Sequence, residues 1–595
     1  MFKRLKDERS VIEIFDEIAE KHKYKLAVVS ETTSMTYEEL KNRSSYVSEF
    51  LFNQGVVSEE IVPLIVDRSV ESIVNILGIL RAGAAYLPLD ILLPNERIEY
   101  MLSVSKAKVI LCRTLEDLKV IERMDLKNIK AIFCDGSEMQ EANNLSMRKG
   151  NNNLAYVMFT SGSEGVPKGV MIEDKGIIRL VRDTGYFPFG EDLVFLQSGT
   201  LCFDASTFDV FGALLNGATL YFTDKNTLLD SELLGDVIRK NSINSMFLTT
   251  PLFHQLVNVD ITIFETLDNL VVGGDVLYRE DAIRIKKCFP KLRFFNAYGP
   301  TENTAFSTIY EVTGHESEVI PIGKSIEYSS TYILDNTGKI VSSGGTGELY
   351  VGGYGVGRGY IGDEKRTKER FLPDINGDGL MYKTGDIVME SEDGNLVFLG
   401  RCDSQVKYRG FRIELAEIQK RIMSNSFIED CFTICEKVNK EKILAAFVVF
   451  KIENSSREND SLKATKKLRD NLKNSLPEYM VPEKIIPMER LPLNLNGKVD
   501  GKALIKKLRS TCSQESNNKY RPVRDEKEED IFFRILEKNL DGKVDDKDVL
   551  YEVGMNSISA IHILSDFKEA GINVSMKNVL SAKTVKELRL LVCDD

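Results

Sequence analysis

Leu154-Ala155-Tyr156-Val157-Met158 runs directly into Phe159-Thr160-Ser161-Gly162-Ser163-Glu164-Gly165-Val166-Pro167-Lys168-Gly169. The apolar run predicts a buried strand. The hydroxyls and glycines behind it predict a loop whose backbone N–H groups and side chains can reach phosphate oxygens, with a lysine beside them. A Walker A loop is excluded, because that needs Gly-Lys-Ser/Thr opening a helix, whereas here Pro167 precedes Lys168 and Gly169 follows. Taken alone, the stretch also suits a flexible surface loop.

On either side, short apolar or β-branched runs at 27, 61, 108, 131, 193, 218, 245 and 269 alternate with helical patterns. That alternation predicts doubly wound α/β layers with mostly parallel sheets. Residues 347–353 and 380–401 read instead as hairpins, with Asp393-Gly394 as a turn signal. Gly357-Arg358-Gly359-Tyr360-Ile361-Gly362 matches G-x-G-x-x-G, but turn residues follow where a dinucleotide fold needs a helix and a buried parallel strand. Beyond Arg401 the pattern becomes helix (416–424), strand (444–450) and helix (461–476), a smaller α+β unit. Residues 509–523 are polar and aperiodic and read as a linker, and the last ~70 residues read as a small helical bundle. The expected division is 1–402, 403–508, linker 509–523 and 524–595.

With 595 residues, a lone binding module is excluded, and the composition is that of a globular protein. The net charge of −12 argues against a protein that coats nucleic acid or anionic membrane. Nine dispersed cysteines suit reduced thiols, and four histidines away from any Cys pair make a zinc site improbable. Cys431 and Cys435 are spaced to share a helical face. The charged, amphipathic start and the lack of any apolar run near 18 residues lead to the expectation of a soluble cytoplasmic protein with neither nucleic acid nor membrane as partner.

Ten segments in order carry a family resemblance: TYEEL (36–40), LRAGAAYLPLD (80–90), the phosphate loop, FDAS (203–206), NAYGPTE (296–302), GELYVGGYGVGRGY (347–360), YKTGD (382–386), GRCDSQVKYRGFRIELAEI (400–418), LPEYMVP (476–482) and NGKVD (496–500). The chain resembles the adenylation domains of nonribosomal peptide synthetases, within the adenylate-forming superfamily of acyl-CoA synthetases and luciferases. The resemblance implies an α/β adenylate-forming fold, with a large N-terminal subdomain, a smaller α+β subdomain and an all-α four-helix carrier. It also implies ATP and Mg²⁺.

By the same resemblance Thr160, Ser161, Gly162, Ser163 and Lys168 hold phosphates. Gly274, Asn296, Tyr298, Gly299 and Thr301 line the nucleotide, Tyr298 lying against adenine. Asp386 takes the ribose hydroxyls with Arg401 nearby, although alone it reads as a turn acid. Glu302 binds Mg²⁺, a hard cation that takes oxygen ligands, and acts with Thr160 and Lys498 in catalysis. Asn496-Gly497 is a tight-turn signal that presents Lys498 at a tip, and the family uses this lysine to bridge the substrate carboxylate and the α-phosphate. Glu164 replaces the usual Thr or Ser and would weaken ATP binding if it pointed inward. Asp403 is the hinge, and Gly410 lies on the loop that meets the pantetheine tunnel after rotation. Two conformations are therefore expected, one placing Lys498 and one withdrawing it.

Asp204 takes the position that pairs with an α-ammonium, so an amino acid is the expected substrate. The remaining pocket positions implied are Ala205, Phe208, Leu248, Val271, Gly273, Ala297, Ala305 and Phe306, with Lys498 closing the set. None but the lysine is polar, which predicts an apolar side chain, Val, Ile or Leu first and Phe second.

Tyr551-Glu552-Val553-Gly554-Met555-Asn556-Ser557-Ile558 resembles the attachment site of peptidyl carrier proteins, with Ile558, Ile561, Leu564 and Phe567 as an apolar stripe. Ser557 is the expected site of covalent 4′-phosphopantetheine; alone it reads as an N-cap. Met555-Asn556 stands where Gly-Asp is usual. The implied partners are the amino acid, a phosphopantetheinyl transferase, a separate condensation or other downstream protein and, optionally, an MbtH-like protein. No bond-forming segment precedes Met1 or follows Asp595, so another protein is expected to collect the loaded amino acid for secondary-metabolite or antibiotic biosynthesis. The rival readings are an acyl-CoA synthetase-like ligase with a fused helical domain and a non-catalytic adenylate-binding protein.

Overall fold

The computed structural model describes residues 4–593, except 125, 127–128, 135–149, 163–165, 317, 343, 377–378, 439–440, 452–457, 494–497, 518–527, 541–543, 551–552, 556 and 573. Two sheets dominate the first 400 residues. In one of nine strands, 293–298, 269–273, 245–249, 194–197, 219–222 and 26–29 lie side by side and parallel, with antiparallel strands at both ends. In a second of seven, strands 85–89, 61–65, 109–112 and 130–133 are parallel, while 154–160 pairs antiparallel with 168–173. Helices 11–21, 37–53, 70–81, 174–181 and 206–214 supply the layers that pack on them.

Strand alternation sorts the side chains into separate cores. Phe247, Val271, Phe295 and Ala297 enter the large cluster between the two sheets. Their neighbours Met246, Leu248, Leu270, Val272 and Phe294 enter a second cluster on the opposite face. A third sheet is wholly antiparallel, with 329–334, 346–353, 380–390 and 371–373 in order and 396–401 beside 380–390. The hairpin expected around Asp393-Gly394 is present, with Gly394 at φ +75°. The G-x-G-x-x-G stretch holds the two-residue strand Gly359–Tyr360, antiparallel to 168–173, and is followed by the helix Glu364–Arg370, where turn residues were expected, and by the strand Phe371–Pro373, which pairs antiparallel with 380–390.

The small subdomain begins with the hairpin Gln405–Tyr408/Phe411–Glu414 and the helix Leu415–Met423. A three-stranded sheet of 428–438, 441–450 and 484–488 follows, backed by the helix Glu458–Ser475. Cys431 and Cys435 lie on the strand Ile428–Val438, which corrects the helical reading: alternate residues face the core, so a spacing of four also keeps one face of a strand. The helix Gly501–Asn517 runs into the stretch read as an aperiodic linker, so 509–517 is helical. Helices 528–539, 557–569, 576–581 and 585–593 make the C-terminal bundle around Phe532, Leu536, Ile561, Leu564 and Phe567. No helix among the described residues is long and apolar enough to cross a membrane.

Candidate active site

The strand Leu154–Thr160 turns back into Lys168–Glu173 with Thr160 opposite Lys168, so the phosphate loop is a hairpin connection between paired strands. At Gly162 a Cβ would lie 1.8 Å from the Val166 carbonyl oxygen, so only glycine lets the loop close. Ser163, Glu164 and Gly165 lie outside the described residues. Thr160 Oγ1 is buried and has no hydrogen-bond partner among the described residues, which is the condition of a donor awaiting a ligand.

Lys168 sends Nζ to Glu302 Oε1 at 3.0 Å and to the Tyr360 hydroxyl at 3.3 Å. Burial pushes this lysine down to about 8, against the pull of Glu302. Glu302 is fully buried in the turn after strand 293–298. Its Oε1 also accepts from Tyr360 (2.7 Å) and Tyr382 (2.8 Å), and its Oε2 from Arg412 (2.7 Å). Burial alone would raise this carboxyl, but Arg412 and Lys168 hold it well below the usual range. A buried carboxylate whose cationic neighbours favour its ionised form suits a hard divalent cation, and the unpartnered Thr160 hydroxyl, on the residue paired with Lys168, suits a phosphate oxygen.

Asp386, on strand 380–390, receives the Tyr298 hydroxyl on one oxygen and Arg401 on the other. Arg401 in turn forks onto both oxygens of Asp403, at 2.7 and 2.9 Å, so the expected hinge residue is tied to the arginine that also meets Asp386. The Lys407 ammonium lies 5.2 Å from the Tyr298 ring centre, on the site side of the small subdomain. Asn296, which donates to the Pro321 carbonyl at 2.7 Å, lines a cavity of about 870 Å³ together with Gly274, Tyr298 and Gly299.

Asp204 accepts a hydrogen bond from Thr301, which joins the two residues that the sequence assigned to different ligands. Burial raises the Asp204 carboxyl above its ordinary value, with Thr301 opposing. Ala205, Phe208, Val271, Ala297, Ala305 and Phe306 all belong to the cluster between the sheets or pack against it, with Phe208 and Phe306 ring centres 5.3 Å apart. A Cβ at Gly273 would approach the Phe247 ring to 3.4 Å. Leu248 is elsewhere: it faces the opposite core, and Phe247 takes the place on this wall, 5.8 Å from Phe306. Strict alternation along strand 245–249 was the signal that finds Phe247.

Lys498 is exposed, whereas Glu302, Asp386 and Lys168 are buried. Asn496-Gly497 before it lies outside the described residues. The hairpin 405–414 faces the core instead. Gly410, at φ +82°, lies against Gly274 and Thr249, and Phe411 stacks on Tyr479 at 4.1 Å while touching Phe203.

The helical bundle sits on the core beside this opening. Leu229 of the core joins the bundle's own cluster, and Lys568 reaches Glu232 at 2.9 Å and Asp230 at 3.6 Å. Ser557 is the first residue of its helix, which ends at Glu569. Tyr551, Glu552 and Asn556 lie outside the described residues. Five residues along, His562 lines the same 870 Å³ cavity that Tyr298 lines.

Comparison with known proteins agrees with this layout. The family model for AMP-binding enzymes matches residues 15–361, that for their C-terminal domain 417–498, and that for the phosphopantetheine attachment site 530–591. With these come ATP, Mg²⁺ and covalent 4′-phosphopantetheine as cofactors. The chain is 38% identical over 584 residues to tyrocidine synthase 3 of Brevibacillus parabrevis, covering 97% of itself and 9% of that protein. It is 38% identical over 586 residues to surfactin synthase subunit 2 of Bacillus subtilis strain 168, covering 98% of itself and 16% of that protein. It thus spans a small part of these relatives. Among solved structures, holo-PA1221, a protein containing adenylation and carrier domains bound to a vinylsulfonamide inhibitor, superposes with a TM-score of 0.84 at 26% identity, covering 99% of this chain and 97% of that one.

Proposed function

The chain belongs to the AMP-binding enzymes, as an adenylate-forming ligase domain of the nonribosomal peptide synthetase type fused to a carrier, and on that premise we propose that it activates an apolar amino acid and loads it onto its own carrier. The substrate carboxylate attacks the α-phosphorus of ATP, forming aminoacyl-AMP and releasing pyrophosphate. The carrier thiol then attacks the acyl carbon and AMP leaves. The observation that carries this reading is a cavity lined both by Tyr298 of the core and by His562 of the bundle.

Asp204 pairs with the substrate ammonium, whose charge offsets the cost of keeping that carboxylate ionised in a buried site. Phe208, Phe247, Val271, Gly273, Ala297, Ala305 and Phe306 form an apolar wall that leaves a polar substrate group without partners. Val, Ile or Leu is the first expectation and Phe the second. Glu302 would hold Mg²⁺, with Thr160, Ser161 and Lys168 on the phosphates. Asp386 would hold the ribose and Tyr298 the adenine. Lys498 would offset charge at the α-phosphorus in a second orientation of the small subdomain, reached by turning about Asp403. Phosphopantetheine on Ser557 supplies the thiol nucleophile. A phosphopantetheinyl transferase must install it, and a separate condensation protein is the expected recipient.

The test is amino-acid-dependent ATP–pyrophosphate exchange across a panel of amino acids. Exchange with branched aliphatic amino acids is the expected result, and exchange only with polar amino acids would overturn the assignment of the wall.

A further inference from the structure

A buried arginine lies behind the turn that follows Glu302. Thr304 and Ala305 both have left-handed backbone, φ +49° and +62°, which L side chains rarely adopt. Before this reversal Glu302 meets Lys168; after it, Ala305 and Phe306 enter the apolar cluster between the sheets. Arg179, on the helix Asp174–Val181, is 0% exposed. Its Nη1 donates to the Phe306 carbonyl at 2.6 Å and the Ser329 hydroxyl at 2.8 Å, and its Nη2 to the carbonyls of Asn303 at 2.7 Å and Thr304 at 3.1 Å. One planar fork thus holds three carbonyls of the reversal, which the point charge of a lysine could not do. Helix and turn are in close contact: a Cβ at Gly176 would lie 2.4 Å from Thr304 Oγ1, and one at Gly355 2.2 Å from Arg179 Nη2. The Gly355 carbonyl in turn accepts from Thr304 Oγ1 at 2.7 Å.

We propose that Arg179 is a positioning residue for amino-acid discrimination, acting through the turn 303–306 to hold Ala305 and Phe306 in fixed places on the wall. The inference rests on the assignment of that wall above. Choice among apolar side chains turns on volume at the level of a methylene, and a wall that can give way accepts the wrong side chain. The left-handed pair would relax toward ordinary backbone if its carbonyls lost their donor, and Phe306 would move with it. Glu302 is fixed separately, by Lys168, Tyr360, Tyr382 and Arg412, so the nucleotide side does not depend on this guanidinium.

The experiment measures ATP–pyrophosphate exchange in the full chain for the unmodified sequence, Arg179→Lys and Gly355→Ala. The first variant keeps the charge and loses the fork; the second keeps Arg179 and crowds its guanidinium off the turn. In both, the ratio of kcat/KM for the preferred amino acid over the next apolar one should fall by about tenfold. The loss should come through KM for the preferred amino acid, while KM for ATP stays within about twofold. Lower melting temperatures and a smaller active fraction with the ratio unchanged would assign Arg179 to stability alone and overturn the proposal. An equal rise in KM for ATP and for the amino acid also overturns it, because the effect would then lie on the whole site. Failure of both variants to fold contradicts it too, since the guanidinium would then hold the fold and not the wall. An unmodified chain with no amino-acid-dependent exchange overturns the adenylation reading itself, and this inference with it.

Discussion

Phe247 and Leu248 are adjacent on one strand and face opposite cores, Phe247 toward Phe306 in the cluster between the sheets and Leu248 into the cluster on the other face. The pair separates specificity from stability. Phe247→Ala should enlarge the apolar wall and move the exchange panel toward bulkier side chains. Leu248→Ala should leave the order of preference unchanged and cost about 2–5 kcal/mol of stability, read from denaturant unfolding.

Asp204 is predicted to set the acidic limb of amino-acid use. Burial raises its carboxyl in the free enzyme, and protonation removes the charge that attracts the ammonium. The kcat/KM for the amino acid should therefore fall as pH drops, with a midpoint above the ordinary 3.8. Asp204→Asn should lower kcat/KM by about 10²-fold or more, as for an unpaired charge, and flatten that limb. A pH profile of both proteins checks this.

Asp209 lies fully buried in the helix Ser206–Leu214 with neither carboxyl oxygen partnered among the described residues. Burial raises its carboxyl well above 3.8. A folded-state value raised above the unfolded one gives stability that is complete below the unfolded value and is lost as pH rises through the folded one. Asp209→Asn should remove this loss, so the variant melts higher at neutral pH and matches the parent at acid pH. Thermal melts across pH decide it.

Leu229 belongs to the core by sequence and to the carrier by packing. Leu229→Glu places a charge in the bundle's apolar cluster and should slow carrier loading by about tenfold or more, while pyrophosphate exchange stays within about twofold of the parent. Paired assays of exchange and loading test the separation. An equal loss of both would indicate damage to the core.

Much of this was legible in the sequence. Buried parallel strands such as 61–65 and 269–273 read as short apolar runs, and ten ordered motifs outlined the site. Asp386 lies on the strand Leu380–Glu390 and Asp204 in the turn before the helix Ser206–Leu214, both within motifs read from the sequence. The readings that shifted depend on register or on tertiary contacts. Leu248 was one residue out of register, which flips a side chain to the other face. The hairpin 405–414 has no strong apolar period, because its faces meet charged partners such as Glu302 and Glu483. Lys498 is exposed, and the orientation of its subdomain is set by contacts such as Arg97 with Glu417, 320 residues apart, which no local pattern encodes.

The most direct test of the central claim is the intact mass of the phosphopantetheine-bearing chain after incubation with Mg·ATP and single amino acids. The account predicts an ATP-dependent gain of one aminoacyl group with an apolar amino acid, lost in Lys498→Ala because no adenylate forms and in Ser557→Ala because no thiol is present, with exchange surviving only in the latter. An unchanged mass with every amino acid, accompanied by consumption of free coenzyme A, would contradict it.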